Sequence, residues 1–113
     1  MKKINIVRKN EEFNDIIREG TKSQSQLFYL YFLKNSYSYN RYGIAISKKI
    51  GNAVVRNKYK RQIKDIIDDI NISITGFDFI LIAKTNIKNY KYKDIKENIS
   101  KMFIVLGEKD EKK

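Results

Sequence analysis

Seven positive charges and no acid fall between Lys48 and Lys64: Lys48, Lys49, Arg56, Lys58, Lys60, Arg61 and Lys64. Cations at this density suit one task above others, neutralising the phosphates of a polyanion, and they do so without making bonds. A face that only keeps a protein dissolved mixes signs, and this one does not. The chain has neither histidine nor cysteine. That removes imidazole acid–base chemistry, thiolate nucleophiles, disulfides and zinc fingers. The acids are scattered or share one helix, as Asp65, Asp68 and Asp69 do. Carboxylates at that spacing on an exposed helix balance charge, and no metal site is assigned to them. The residue types point to binding, with no catalytic constellation on the protein.

The element that carries the charges is itself informative. Asn52 is placed to cap a helix running from Ala53 to about Ile70, with Gly51 easing the entry. Arg56, Lys58, Lys60 and Arg61 then fill the early turns, while Asp65, Asp68 and Asp69 come late. The helix dipole favours the reverse at both ends, by about 0.3–1 kcal/mol per charge near a terminus. Pairs such as Arg61–Asp65 and Lys64–Asp68 would recover only a few tenths each. Folding alone does not select this layout. At 100° per residue, Val55, Tyr59, Ile63, Ile66, Ile67 and Ile70 form one apolar stripe, which leaves Asn57, Lys60, Arg61 and Lys64 facing solvent. Arg56 is in angular register with Ile63 and Ile67, so it is expected to turn toward the sheet at the helix's open end.

The 113 residues are enough for one domain with one core, and 42% of them are hydrophobic. The net charge of +11 (24 Lys+Arg less 13 Asp+Glu) exceeds what solubility needs and points first to nucleic acid, second to an anionic membrane surface. No apolar run approaches the about 20 residues of a spanning helix, and the start Met1-Lys2-Lys3-Ile4-Asn5 lacks the apolar stretch of a signal peptide. A cytoplasmic place is expected.

A first helix is expected from Asn10, as its own cap, with Glu11 and Glu12 in the first turn, Phe13, Ile16 and Ile17 on one face, and Gly20 at its end. The polar stretch Thr21 to Gln26 leads into the β-rich run Leu27 to Leu33. Alternation there sets Leu27, Tyr29, Tyr31 and Leu33 against Phe28, Leu30 and Phe32. Asn35 to Asn40 reads as a connection. In the strand from Arg41 to Ser47, Tyr42, Ile44 and Ile46 share one face and the small residues Gly43, Ala45 and Ser47 the other. That small face leaves room either for a ligand or for a closely packed helix. Phe77 to Ala83 is apolar enough for a buried strand. A last helix spans about Tyr92 to Leu106, stopped by Gly107, with a solvated tail over about 108–113. The order α-β-β-α-β-α describes a single α+β sandwich, residues 1–113, in which the strand–helix–strand unit around the basic helix is parallel within a mixed sheet.

The block from Gly43 through Ser47-Lys48-Lys49, Gly51-Asn52-Ala53-Val54 and Arg56-Asn57-Lys58-Tyr59-Lys60-Arg61 resembles the signature of the bacterial ribonuclease P protein component. Asn10 to Phe13, Gly20-Thr21, Phe28 to Tyr31, Phe77 to Ala83 and Tyr92 to Leu106 extend the likeness over most of the chain. The chain departs from the motif at its second arginine, which is Lys58 here; charge is kept and planar bidentate donation to phosphate is lost. The resemblance implies a ribosomal-domain-like fold with a left-handed β-α-β crossover, against the usual right-handed preference. It implies an RNA-binding subunit of an endonuclease in which an associated RNA, using Mg2+, removes the 5′ leader of precursor tRNA. The partners implied are that catalytic RNA and the leader, with no membrane and no DNA.

Two surfaces follow from the resemblance. Asn57, Lys58, Lys60, Arg61 and Lys64 would grip the catalytic RNA, chiefly through phosphates. Phe13, Ile17, Tyr29, Tyr31, Ser47, Lys48 and Arg56 match family positions on or near a leader cleft between the basic helix and the sheet, where aromatic rings interleaved with cations suit a single strand. For Phe13 and Ile17, core packing is the favoured role. A ribosomal or general RNA-binding protein is the alternative reading, and it would share the charge without needing the Lys48–Arg61 block in this form.

Overall fold

The computed structural model describes residues 1–111. Its elements are α1 (Asn10–Glu19), β1 (Thr21–Gln24), β2 (Phe28–Lys34), β3 (Arg41–Ala45), α2 (Ala53–Asp69), β4 (Phe77–Ala83) and α3 (Tyr92–Glu111), with 3-10 turns at Lys3–Asn5 and Thr85–Asn89. The sheet runs β1-β2-β4-β3. β1 and β4 both lie antiparallel to β2, and β3 lies parallel to β4 across the α2 crossover, so the sheet is mixed as expected.

Three boundaries differ from the sequence reading. Thr21–Gln24 is a strand, making the order α-β-β-β-α-β-α. It is a polar edge strand held by backbone pairing with Tyr29 to Phe32, so no apolar alternation betrays it. Helix α1 is flanked by Lys9 in the cap position, and Asn10 is its first helical residue, with no side-chain cap bond. Helix α3 runs on through Gly107 to Glu111 rather than stopping at the glycine. Gly107 is buried, and a Cβ there would lie 2.5 Å from Ser73 Oγ, so close approach explains the residue better than a helix stop. Of the expected tail, Lys112 and Lys113 lie outside the described residues.

The two faces of the sheet carry two unequal cores. On one, Phe28, Leu30, Tyr42, Phe79 and Leu81 pack under Ile63, Ile66 and Ile67 of α2 and Ile95, Ile99, Met102, Phe103 and Leu106 of α3. Phe79 sits at the centre of this layer, stacked on Tyr42 with ring centroids 5.4 Å apart and meeting Phe103 edge-on at 5.0 Å. The other face is covered only in part. There Val7, Ile16 and Ile80 are buried, with Phe13, Ile17, Tyr31, Leu33 and Ile82 half-buried around them. An ion cluster locks α1 to this side. Arg41 donates through Nε and Nη2 to the buried Asp78 at 2.9 and 2.7 Å and through Nη1 to Glu12 at 2.8 Å. These bonds push the guanidinium pKa above its ordinary value, the hydrogen bond to Asp78 contributing most. Removing one partner of so enclosed a pair costs about 3–5 kcal/mol.

Candidate nucleic-acid interface

Helix α2 begins as expected: Asn52 Oδ1 accepts a hydrogen bond from the Val55 N–H at 3.0 Å. No acid sits in its first turn and no base in its last. Asn57, Lys58 and Arg61 are exposed, and Lys60 and Lys64 are half-buried. The helix buries Ile63, Ile66 and Ile67 against the sheet, which turns these polar residues outward. At its open end the stripe fails. Val54 is 77% exposed and Val55 36%, so Val55 does not join the core as its spacing suggested. Val54, Lys58, Arg61, Gln62 and Asp65 line a shallow hollow here of about 380 Å³.

The expected pairs Arg61–Asp65 and Lys64–Asp68 do not form. Asp68 instead accepts from the Met1 ammonium at 2.6 Å, and Asp69 pairs with Lys96 on α3. Among the described residues Lys58, Lys60, Arg61 and Lys64 therefore have no carboxylate within ion-pair distance. The acids of α2 serve the far end of the molecule. Its cations are left uncompensated.

The aromatic residues do not lie between α2 and the sheet, as the sequence reading placed them. That space is filled by the main core. They stand on the opposite face, where the strand register arranges side chains in rows. One row is Tyr31, Ile80 and Gly43; Phe13 of α1 closes over Gly43, with Phe13 Cε2 2.8 Å from where a Cβ would be. Phe13 and Ile17 thus have the packing role favoured for them, and Gly43 is small to admit a helix. The next row is Tyr29, Ile82 and Ala45, all half-buried. It leads two residues further along the β3 strand direction to Ser47 and Lys48, both exposed. Ser47 closes a tight turn there, its Oγ accepting from the Lys49 N–H at 3.1 Å and its carbonyl from the Ile50 N–H at 3.0 Å. Arg56, at the start of α2, is half-buried, and its Nε is enclosed without a hydrogen-bond partner. Such a donor gains from any acceptor brought to it.

Two cations of this face were not singled out from sequence. Lys22 Nζ lies 4.8 Å from the Tyr29 ring centroid and 5.8 Å from that of Tyr31, and Lys84 Nζ lies 4.7 Å from Tyr29. Lys22 follows from β1, whose existence the polar sequence hid. Lys84 directly follows an apolar strand, and only the register shows that it turns toward Tyr29. A single strand laid along this row would meet an aromatic floor flanked by ammonium groups.

A mixed-sheet α+β sandwich with one uncompensated basic helix face and a half-open aromatic face is shared with solved protein components of ribonuclease P. The Staphylococcus aureus RNase P protein superposes with a TM-score of 0.82 at 30% identity, over 91% of this chain and 94% of that one. The Thermotoga maritima RNase P protein does so at 0.79 and 27% identity, over 86% and 93%. In sequence, the ribonuclease P protein component of Clostridium botulinum is 42% identical over 96 residues, covering 82% of this chain and 86% of that relative. A family model described as Ribonuclease P matches residues 1–107. The chain belongs to the ribonuclease P protein family, whose place is within an endoribonuclease complex. No helix among the described residues is long and apolar enough to cross a membrane.

Proposed function

We propose that this chain is the non-catalytic protein subunit of ribonuclease P. It holds the catalytic RNA with Asn57, Lys58, Lys60, Arg61 and Lys64 and guides the 5′ leader of precursor tRNA over Tyr29, Tyr31, Ser47, Lys48 and Arg56. The observation that carries the reading is the set of α2 cations without carboxylate partners, on a helix whose acids are engaged elsewhere. Phosphates of a folded RNA supply the missing counter-charge, and backbone contacts dominate such recognition. Phe13 and Ile17 act by packing α1 against the sheet and so shaping the edge of the leader path. Catalysis is assigned to the RNA with its Mg2+. No histidine or cysteine is available to the protein, and Asp68 and Asp69 have cationic partners rather than a shared void.

The test compares precursor and mature tRNA binding by holoenzyme reconstituted with Tyr31→Ala or Arg56→Ala protein, each checked for folding. Removing one stack or one charged group should weaken precursor binding by about 5- to 150-fold while mature tRNA and catalytic-RNA binding hold. Equal weakening for both tRNAs would move these residues off the leader path. Cleavage of precursor by protein freed of RNA would overturn the assignment of catalysis.

A further inference from the structure

We propose that the leader path ends in a pocket that takes one nucleotide and reads its base, built from Tyr29, Lys22, Lys84 and Asn86. The inference rests on the leader reading above and adds a subsite to it. Tyr29, Ala83, Lys84, Thr85 and Asn86 line an open cavity of about 400 Å³ at the end of β4. It lies at the Tyr29 end of the open row and is set off from the covered row, where Phe13 sits on Gly43.

Three features of this pocket lack a partner of the kind they are built for. The Tyr29 ring has ammonium groups from both flanking segments within 5 Å of its centroid, and neither lysine forms an ion pair among the described residues. Two like charges gathered on one ring without a carboxylate leave a place for an anion. Lys84 is fixed there, donating to Ser25 O at 2.7 Å and Gln24 Oε1 at 3.1 Å. Lys22 has no such bonds and is free to move. The third feature is Asn86. Its Nδ2 donates to Gln26 O at 3.2 Å, which sets the orientation of the amide, and its Oδ1 is buried with no hydrogen-bond partner.

These features divide a nucleotide between them. Lys84 takes the phosphate, with Lys22 moving off the ring to join it, and the freed Tyr29 face receives the base. Asn86 Oδ1 then accepts from an N–H on the base edge. Reaching that atom takes a turn of the amide, which the long bond to Gln26 O resists only weakly. An acceptor left unpaired in the free protein is paired in the complex, so the bond gains more than an ordinary surface hydrogen bond would. The ligand class is single-stranded RNA, because only a chain already lying along the open row delivers both a phosphate and a base to this end.

The experiment uses holoenzyme and precursor tRNAs whose leaders carry a single abasic nucleotide, moved one position at a time. Wild-type protein is compared with Tyr29→Ala, Tyr29→Phe and Asn86→Ala, each checked by thermal unfolding. At one leader position the abasic change should weaken wild-type binding about 5- to 150-fold and weaken Tyr29→Ala binding no further. Tyr29→Phe, which keeps the ring, should behave as wild type. Asn86→Ala should lose about 2- to 10-fold with the intact leader and nothing at the abasic one. Abasic penalties that match wild type at every position in both alanine variants would overturn the pocket while leaving the leader reading standing. Wild-type holoenzyme that binds leader-bearing and leaderless tRNA equally would overturn the leader reading, and the pocket with it.

Discussion

Replacing Gly43 by Ala tests whether the small-residue strand face exists to seat α1. A Cβ at this position would lie 2.7 Å from Ile80 Cδ1 and 2.8 and 3.1 Å from Phe13 Cε2 and Cδ2. Ordinary contact begins near 3.4 Å, so both neighbours must yield by roughly 0.6 Å. Ile80 is fully buried and has nowhere to go. Phe13 is half-buried on the outer layer, so α1 is the part that lifts. Overpacking of this kind costs about 1–3 kcal/mol. Gly43 is not in the left-handed region, which only Gly76 occupies at φ 82, so the substitution adds no backbone strain. The lower entropy of the unfolded chain returns about 0.4–1 kcal/mol. The net loss is then about 0.5–2 kcal/mol, read as a lower urea midpoint at unchanged m value. Because α1 borders the leader path and α2 lies on the other face of the sheet, precursor affinity should fall while catalytic-RNA affinity holds. An unchanged or raised midpoint would refute the argument, since it would mean that Phe13 does not fill the space above Gly43.

Two further outcomes are expected. Arg61→Ala and Lys60→Ala should flatten the salt dependence of catalytic-RNA binding by about 0.7–0.9 in log–log slope for each phosphate no longer neutralised; unchanged slopes in both would take these side chains off the phosphates. The Tyr42 phenol is pushed above its ordinary pKa, chiefly by burial, against a hydrogen bond from Asn40 that works the other way. The folded state therefore holds this proton more tightly than the unfolded chain. Its contribution to stability is present below the ordinary tyrosine value of about 10 and is lost as pH rises through the higher folded value. Urea midpoints taken across that range should fall less steeply for Tyr42→Phe, and parallel curves would count against the assignment.

Local periodicity made most of the fold legible. Ile63, Ile66 and Ile67 at helical spacing, and Phe28 and Leu30 at strand spacing, are all buried where the pattern put them. Elements held by backbone bonds alone were invisible, and Thr21–Gln24 is the case in point: four polar residues cover an edge of the sheet and offer no apolar pattern. Gly107 misled because a glycine for close approach and a glycine for a helix stop look alike in sequence, and only the position of Ser73 separates them. The candidate site divides the same way. The charges of α2 could be placed outward from the stripe alone. Which side of the sheet carries Tyr29 and Tyr31 relative to α2 depends on how the crossover packs, and alternation within a strand names two faces without saying which helix covers each. Lys22 and Lys84 reach Tyr29 across strand register, which no local pattern encodes.

The layout of α2 implies one more consequence. Its second half is anchored by Ile63, Ile66 and Ile67, all buried. Its first turns have an Asn52 cap, the half-buried Tyr59, and two exposed valines, while Arg56, Lys58, Lys60 and Arg61 crowd the positive end of the dipole. The cap contributes about 1 kcal/mol, and each misplaced cation near the terminus takes back about 0.3–1 kcal/mol. The N-terminal turns of α2 should therefore open far more readily than the C-terminal ones in free protein. Phosphates at this surface reverse the sign of the local electrostatic term, so bound catalytic RNA should tighten the part of the helix it touches. Amide hydrogen exchange checks this directly: binding should slow exchange over residues 56–61 by a larger factor than over 63–67. Equal slowing of both segments, or none over 56–61, would show that the cations of α2 are not where the RNA sits.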